Sequence, residues 1–206
     1  MLHGDSKWIN VSDGGHVENL GAFELLRRRC EIVIVGEGES DATGGFPGLS
    51  TLMRLAEIDL RVKIEFPEGS LEKLILPADF DKLQGDKLDE AIAAQRHFSV
   101  AKIRYPKKGD QPEELGFFLY VRSSLRGNED QILKSYQKEN PAFPHESTAD
   151  QMFNEGQFEA YRRLGVKMMS EALTEVSAGP LTDGTTPYSN LRANLETWWA
   201  SERQVD

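Results

Sequence analysis

Apolar and polar residues change their spacing several times along the chain, and each change marks an element. Trp8-Ile9-Asn10-Val11 is short, apolar and β-prone, and it runs into Ser12-Asp13-Gly14-Gly15, where two glycines permit a sharp turn. From Val17 the period becomes helical, with Leu20, Phe23 and Leu26 on one face. Arg27, Arg28 and Arg29 fall in the last turn, where cations favour the negative end of the helix dipole. Ile32-Val33-Ile34-Val35 then reads as a strand buried on both faces, as in a parallel sheet. Strand, glycine turn, helix and buried strand together predict a βαβ unit.

Further along, Leu49, Leu52, Met53 and Ala56 predict a short helix. Leu60, Val62, Ile64 and Phe66 alternate with Asp59, Arg61, Lys63 and Glu65, the pattern of a strand with one wet face. Phe98 to Tyr105 and Leu115 to Val121 read as two strands of a long hairpin. Good helix formers run from Ala149 to Leu173. From Asn190 to Arg203, Leu191, Leu195, Trp198 and Trp199 share one face. Ser177 to Pro187 is rich in Gly, Pro and Thr and reads as a linker. The predicted fold is α/β: a mainly parallel sheet flanked by helices, with an antiparallel hairpin and a helical tail. Residues 1–176 form the main body and residues 177–206 the linker and amphipathic tail.

Composition narrows the function classes. The chain has 206 residues, 39% hydrophobic and 28% charged, with a mean hydropathy of -0.49. That is the make-up of a globular protein of one domain, or one large piece of a larger domain. No apolar run approaches the ~20 residues of a membrane span. The mixed, polar start from Met1 to Trp8 does not read as a signal segment. A lone cysteine, Cys30, forms no internal disulfide and fits a reducing, cytoplasmic setting. A net charge of -10 disfavours nucleic acid and anionic surfaces as partners.

Asp13 is the leading candidate for chemistry. A carboxylate at a strand end, followed by Gly14 and Gly15, sits where α/β sheets hold ligands, and it suits a general base. The competing local reading is a helix cap or an Asp-Gly turn. Gly38-Glu39-Ser40-Asp41-Ala42 has the outline of a nucleophile elbow, with His97 or His145 downstream, but Glu37, Glu39 and Asp41 would oppose an oxyanion at Ser40. The same loop lacks the third glycine of a dinucleotide fingerprint and the lysine of a P-loop. It reads as a solvated acidic loop, with a hard cation as the lesser alternative. The four histidines, His3, His16, His97 and His145, lack helical ligand spacing. His16 stands beside Asp13 at a helix start, and His145 precedes Ser147 and Thr148, either of which suits a cap for the following helix. The arginine triplet reads as helix-end charge rather than a phosphate site. Paired indoles at Trp198 and Trp199 suit a membrane interface, yet Glu196, Glu202 and Asp206 favour docking on the core or on a partner segment.

Ile9-Asn10-Val11-Ser12-Asp13-Gly14-Gly15-His16-Val17-Glu18-Asn19-Leu20-Gly21 with Glu24-Leu25-Leu26-Arg27-Arg28-Arg29-Cys30, then His97-Phe98-Ser99-Val100, Ile103-Arg104-Tyr105-Pro106, Phe143-Pro144-His145-Glu146-Ser147-Thr148-Ala149-Asp150-Gln151 and Phe158-Glu159-Ala160-Tyr161-Arg162, resembles bacterial patatin-like phospholipases, relatives of the cytosolic phospholipase A group. The resemblance runs in order from Trp8 to Met169. It implies the later part of a patatin-like catalytic domain, lipid ester hydrolysis by a Ser–Asp dyad, no cofactor and no metal. Asp13 would be the general base, in an Asp-Gly-Gly motif with Gly14 and Gly15.

The Gly-x-Ser-x-Gly elbow and the glycine-rich oxyanion segment, which the family places upstream of Asp13, have no counterpart here. Ser6 has no elbow around it, and Ser12 is adjacent to Asp13 and so points to the opposite face of a strand. The chain alone is therefore expected to lack meaningful esterase activity. Its expected partners are a lipid or phospholipid ester and a serine-bearing half in cis or in trans, with peripheral membrane contact and self-association through an uncovered sheet edge. The rival expectation is a diverged, non-catalytic binding or assembly module.

Overall fold

A computed structural model describes residues 13–77, 82–110, 112–147, 149, 151–177 and 187–203. The expected strand Trp8-Ile9-Asn10-Val11, with Ser6, Ser12, His3, Thr148 and Asp150, lies outside the described residues, as do residues 178–186 of the expected linker. The elements are α1 (Phe23–Arg27), β1 (Ile32–Glu37), α2 (Pro47–Leu55), β2 (Lys63–Glu65), α3 (Asp86–Ala94), β3 (Phe98–Tyr105), β4 (Glu114–Arg122), α4 (Gln131–Glu139), α5 (Glu155–Val176) and α6 (Pro187–Glu202).

The fold is α/β, with one sheet between helices. Its strand order is β1-β4-β3-β2. β1 lies parallel to β4, with Val33 opposite Phe118 and Val35 opposite Tyr120. The hairpin of β3 and β4 is antiparallel, as expected, and β2 joins β3 antiparallel through Ile64 and Ile103. The sheet is thus mixed, with one parallel pairing among the described strands.

Strand alternation divides the core into two halves. Val33, Val35, Ile103, Phe118 and Tyr120 face Leu26 of α1 and Leu49 and Leu52 of α2. Phe98, Val100, Phe117, Leu119 and Val121 face the other way, onto α4, α5 and α6. On α5 the buried residues Ala160, Leu164, Met168 and Ala172 recur every fourth position, giving a single apolar stripe. α6 belongs to the same core. Leu195 is fully buried and the Trp199 indole donates to Glu65 O at 3.1 Å, with the Lys102 ammonium 3.8 Å from its ring centroid. Trp198 packs on Phe98. Both indoles are therefore used in docking the tail helix on the sheet.

Four local expectations are corrected. The strand expected from Leu60 to Phe66 shrinks to β2, because α2 runs on through a wide helical turn, Ala56–Leu60, which Arg61 ends at φ 56°. Leu60 closes that helix while Val62 and Ile64 extend beyond it, so an alternating pattern spans two elements. The helix expected from Val17 is reduced to α1, because Glu18 accepts from the amides of Leu20 and Phe23 and delays the first turn. β1 is buried on one face and not on both: Ile34 is 43% exposed, since α5 and α6 cover β4 and β3 and leave β1 at the margin of the described sheet.

The cap of α5 is Asn154, whose Oδ1 accepts from Gln157 N at 2.8 Å, and not Ser147. Ser147 Oγ instead accepts from Ala149 N in a local turn. Asn154→Ala is expected to cost about 1 kcal/mol, and Asn154→Gly only a few tenths. A urea titration of the two variants checks the difference; equal losses would show that the side-chain bond contributes nothing.

Candidate functional site

β1 and β4 run parallel and end side by side, and both apolar strands end in a charge. Their register sets Glu37 directly beside Arg122. The loop after β1 turns back over this pair, so that Asp41 reaches the same guanidinium. Arg122 Nε lies 3.3 Å from Glu37 Oε2, and Nη2 lies 3.1 Å from Asp41 Oδ2. The guanidinium also donates to Leu74 O and lies 4.8 Å from the Phe46 ring centroid. All three charged residues are more than nine-tenths buried.

The two carboxyls respond differently to the same cation. Burial pushes Glu37 above the usual carboxylate range, against the Glu39 amide at 2.6 Å, the Tyr120 hydroxyl at 3.1 Å and the charge of Arg122. For Asp41 burial also acts upward, but the amides of Gly45 and Phe46, with Arg122, hold it below its ordinary value. Tyr120 is held un-ionised by burial and by the neighbouring Glu37.

Glu39 ties this end of the sheet to the Asp-Gly-Gly turn. Its Oε1 accepts from Asn19 Nδ2 at 2.7 Å, and its Oε2 from Gly48 N at 2.9 Å, at the start of α2. A Cβ on Gly48 would stand 2.5 Å from that oxygen, so a larger residue there would displace the Glu39 carboxylate from the amide. Asp13 caps the short 3-10 turn Gly14–His16, its Oδ1 accepting from Gly15 N at 2.9 Å. Asp13, Gly14, Gly15 and His16 are all exposed, and His16 Nδ1 lies 3.2 Å from Asp13 O. An open cleft of about 600 Å³ at the end of β1 is lined by Asn19, Glu37, Glu39 and Ser40. A second, of about 300 Å³, continues past Asn19 and Glu39 to Gly15, His16 and Arg54. The two clefts share Asn19, Glu39 and Pro47, so the Asp-Gly-Gly turn and the acidic loop border neighbouring clefts.

Ser40 and His145 do meet, but not as a relay. Ser40 Oγ donates to the backbone carbonyl of His145 at 2.8 Å, while the imidazole Nδ1 faces Glu39 O at 3.4 Å. Burial, and then the charge of Arg122, hold His145 below the usual histidine range. The carboxylates of the 37–41 loop are each engaged by protein donors. Among the described residues no group of three or more His, Cys, Asp or Glu side chains is arranged to hold a metal ion. The arginine triplet is also accounted for. Arg27 and Arg28 pair with Glu24, and Arg29 pairs with Glu114, donates to Pro106 O and lies over the Tyr105 ring.

A third buried group escaped the sequence reading as a unit. His97, 1% exposed, has Nδ1 3.0 Å from Ser124 Oγ and Nε2 3.5 Å from Glu171. Glu171 is itself held by Arg126 at 2.6 Å and by Lys167. The line Ser124–His97–Glu171 has the outline of a nucleophilic triad. Burial, however, lowers the His97 pKa to about 4, which makes it a poor base at neutral pH, and Ser124 Oγ also lies 3.1 Å from Arg122 O. This group clasps the ends of β3 and β4 to α5.

No family model, no curated protein and no solved structure matches this chain. The fold and site define an α/β domain whose polar groove lies at the carboxyl end of its parallel strand pair.

Proposed function

We propose that this chain supplies the aspartate of a Ser–Asp lipid acyl hydrolase of the patatin-like kind. The observation that carries the reading is the position of the Asp13-Gly14-Gly15 turn. Its Asp13 carboxylate is exposed and oriented by the Gly15 amide, and Gly15 and His16 border a cleft that shares Asn19, Glu39 and Pro47 with the one at the end of β1, where α/β sheets hold ligands. In the reaction, a serine hydroxyl attacks the acyl carbonyl of the lipid ester and gives its proton to Asp13. The alcohol leaves with a proton, and water then cleaves the acyl-serine. The sequence contains no Gly-x-Ser-x-Gly, so the serine must come from another element, in cis or in trans.

The test is capture of the protein from its own cells, followed by fluorophosphonate labelling and lysophospholipid hydrolysis. A reactive serine is expected in the captured material and none in this 206-residue chain by itself. Asp13→Asn is expected to lower hydrolysis by about 10²–10⁴-fold. Captured material with no reactive serine and no hydrolysis would overturn the reading. A binding or assembly module would take its place, a role favoured by the use of Asp13 as the cap of a short turn.

A further inference from the structure

The start of α5 carries aromatic surface that no described element covers. Phe153 and Phe158 are 55% and 61% exposed, and Met152 beside them is 90% exposed. The Phe153 ring stacks on Tyr161 with centroids 6.3 Å apart, and Tyr161 follows Phe158 by three positions on the same face of the helix. Both rings therefore flank one tyrosine and belong to one patch. Trp198 and Trp199, by contrast, pack on the sheet. We propose that this patch, and not the paired indoles, seats the chain on the surface of a zwitterionic lipid bilayer.

Area is the first ground. At 55% and 61% exposure the two rings offer roughly 200 Å². Met152 enlarges the patch, but it stays well short of the ~800 Å² that each partner gives a stable dimer. A headgroup boundary needs no such area, because a few apolar side chains entering it suffice for peripheral contact. Charge is the second ground. Beside the rings, Glu159 pairs with both Arg162 and Arg163, so the rim carries both signs and no block of free cations. A zwitterionic headgroup also carries both signs and matches that rim. An anionic surface calls for a polybasic rim, and the net charge of -10 opposes it further. Position is the third ground. The Tyr161 hydroxyl accepts from the Glu146 amide at 3.3 Å, and the carbonyl of the preceding His145 accepts from Ser40, which lines the cleft at the end of β1. A short run of direct contacts thus joins the patch to the cleft, and a bilayer on the patch sets its esters beside it. This third ground rests on the hydrolase reading; area and charge do not.

Flotation of the purified whole chain with phosphatidylcholine vesicles tests the proposal. The chain is expected to float with them, and to bind no more tightly when about a fifth of the lipid is phosphatidylserine. Phe158→Ser is expected to weaken binding about ten-fold, and Phe153→Ser combined with it to abolish flotation. Phe158 is an exposed ring, so its replacement should leave the near-UV circular dichroism unchanged. Asp13→Asn is expected to float as the wild type does. Flotation without hydrolysis in captured material would sink the hydrolase reading and spare this one, and hydrolysis without flotation would do the reverse. Full-strength binding by Phe158→Ser, or tighter binding to the vesicles with phosphatidylserine, would each overturn the proposal. A dimer in sedimentation velocity that Phe158→Ser dissolves would overturn it too, by assigning the patch to a second copy.

Discussion

Arg122→Met is expected to destabilise the fold by about 3–5 kcal/mol at neutral pH, among the largest losses any single replacement in this chain would give. The methionine roughly keeps the apolar length of the side chain, so packing changes little. What remains is Glu37 and Asp41, both more than nine-tenths buried, with the shared cation gone. The two carboxylates then repel each other in a medium that solvates neither. Glu37 is the one that yields, because burial already holds its pKa above the ordinary range. Lowering the pH protonates it first, and the loss in Arg122→Met should shrink as the pH falls from neutral toward 5. Glu37→Gln combined with Arg122→Met should recover part of the loss, since one buried charge has been removed with its partner. Urea unfolding of wild type, the two single variants and the double variant gives the whole cycle. A loss below about 1 kcal/mol in Arg122→Met would mean that water reaches the network and screens it.

The second large effect is the pH dependence carried by His97. Its pKa is about 4 in the folded chain, against an ordinary value of 6.5, because the ring is buried between the ends of β3 and β4 and α5. Glu171 raises it and Lys167 and Arg126 lower it further; Arg96 and Glu175 lie in the same cluster. Above pH 6.5 the ring is neutral in both states and the pH has no leverage through it. Between 6.5 and about 4 the unfolded ring takes a proton that the folded ring refuses, so stability falls as the pH falls. Below about 4 both states are protonated and the loss is complete, at about 3 kcal/mol in all. His97→Gln removes the titration. It should cost about 1–2 kcal/mol at pH 7 through the Ser124 contact, yet show a flatter stability profile between pH 6.5 and 4. Stability profiles of the two proteins that run parallel across that interval would rule His97 out as the titrating group.

Much of the fold was legible because its signals are local. The hairpin ends were read close to their structural positions, Phe98–Tyr105 for β3 and Glu114–Arg122 for β4, because apolar alternation and a polar connecting loop are properties of short stretches. α2 and α6 were legible from helical spacing, most of α5 from its run of good helix formers, and the arginine triplet from its place after an apolar helix face. Errors arose where one pattern served two structures. Leu60, Val62 and Ile64 alternate as a strand would, yet the first closes a helix, because a wide turn and a left-handed Arg61 fit the same apolar positions to the same core. The α5 cap was placed at Ser147 or Thr148 although Asn154 stands nearer the helix, since several polar residues precede the apolar stripe and each has a cap's chemistry.

By itself the sequence determined the hairpin strands, the strand after the arginine triplet, the helices α2 and α6, most of α5, and a glycine turn at Asp13, for these depend on neighbours a few residues away; α3 and α4 carried no such signal. Only the tertiary structure decided that Glu37 meets Arg122, that Ser40 bonds a carbonyl and not an imidazole, and that His97, Ser124 and Glu171 form one buried group. Each of these contacts joins residues 27 or more positions apart, and the first is set directly by the register of β1 on β4. Register follows from burying two opposed apolar faces at once, a condition on the whole sheet that no single segment carries.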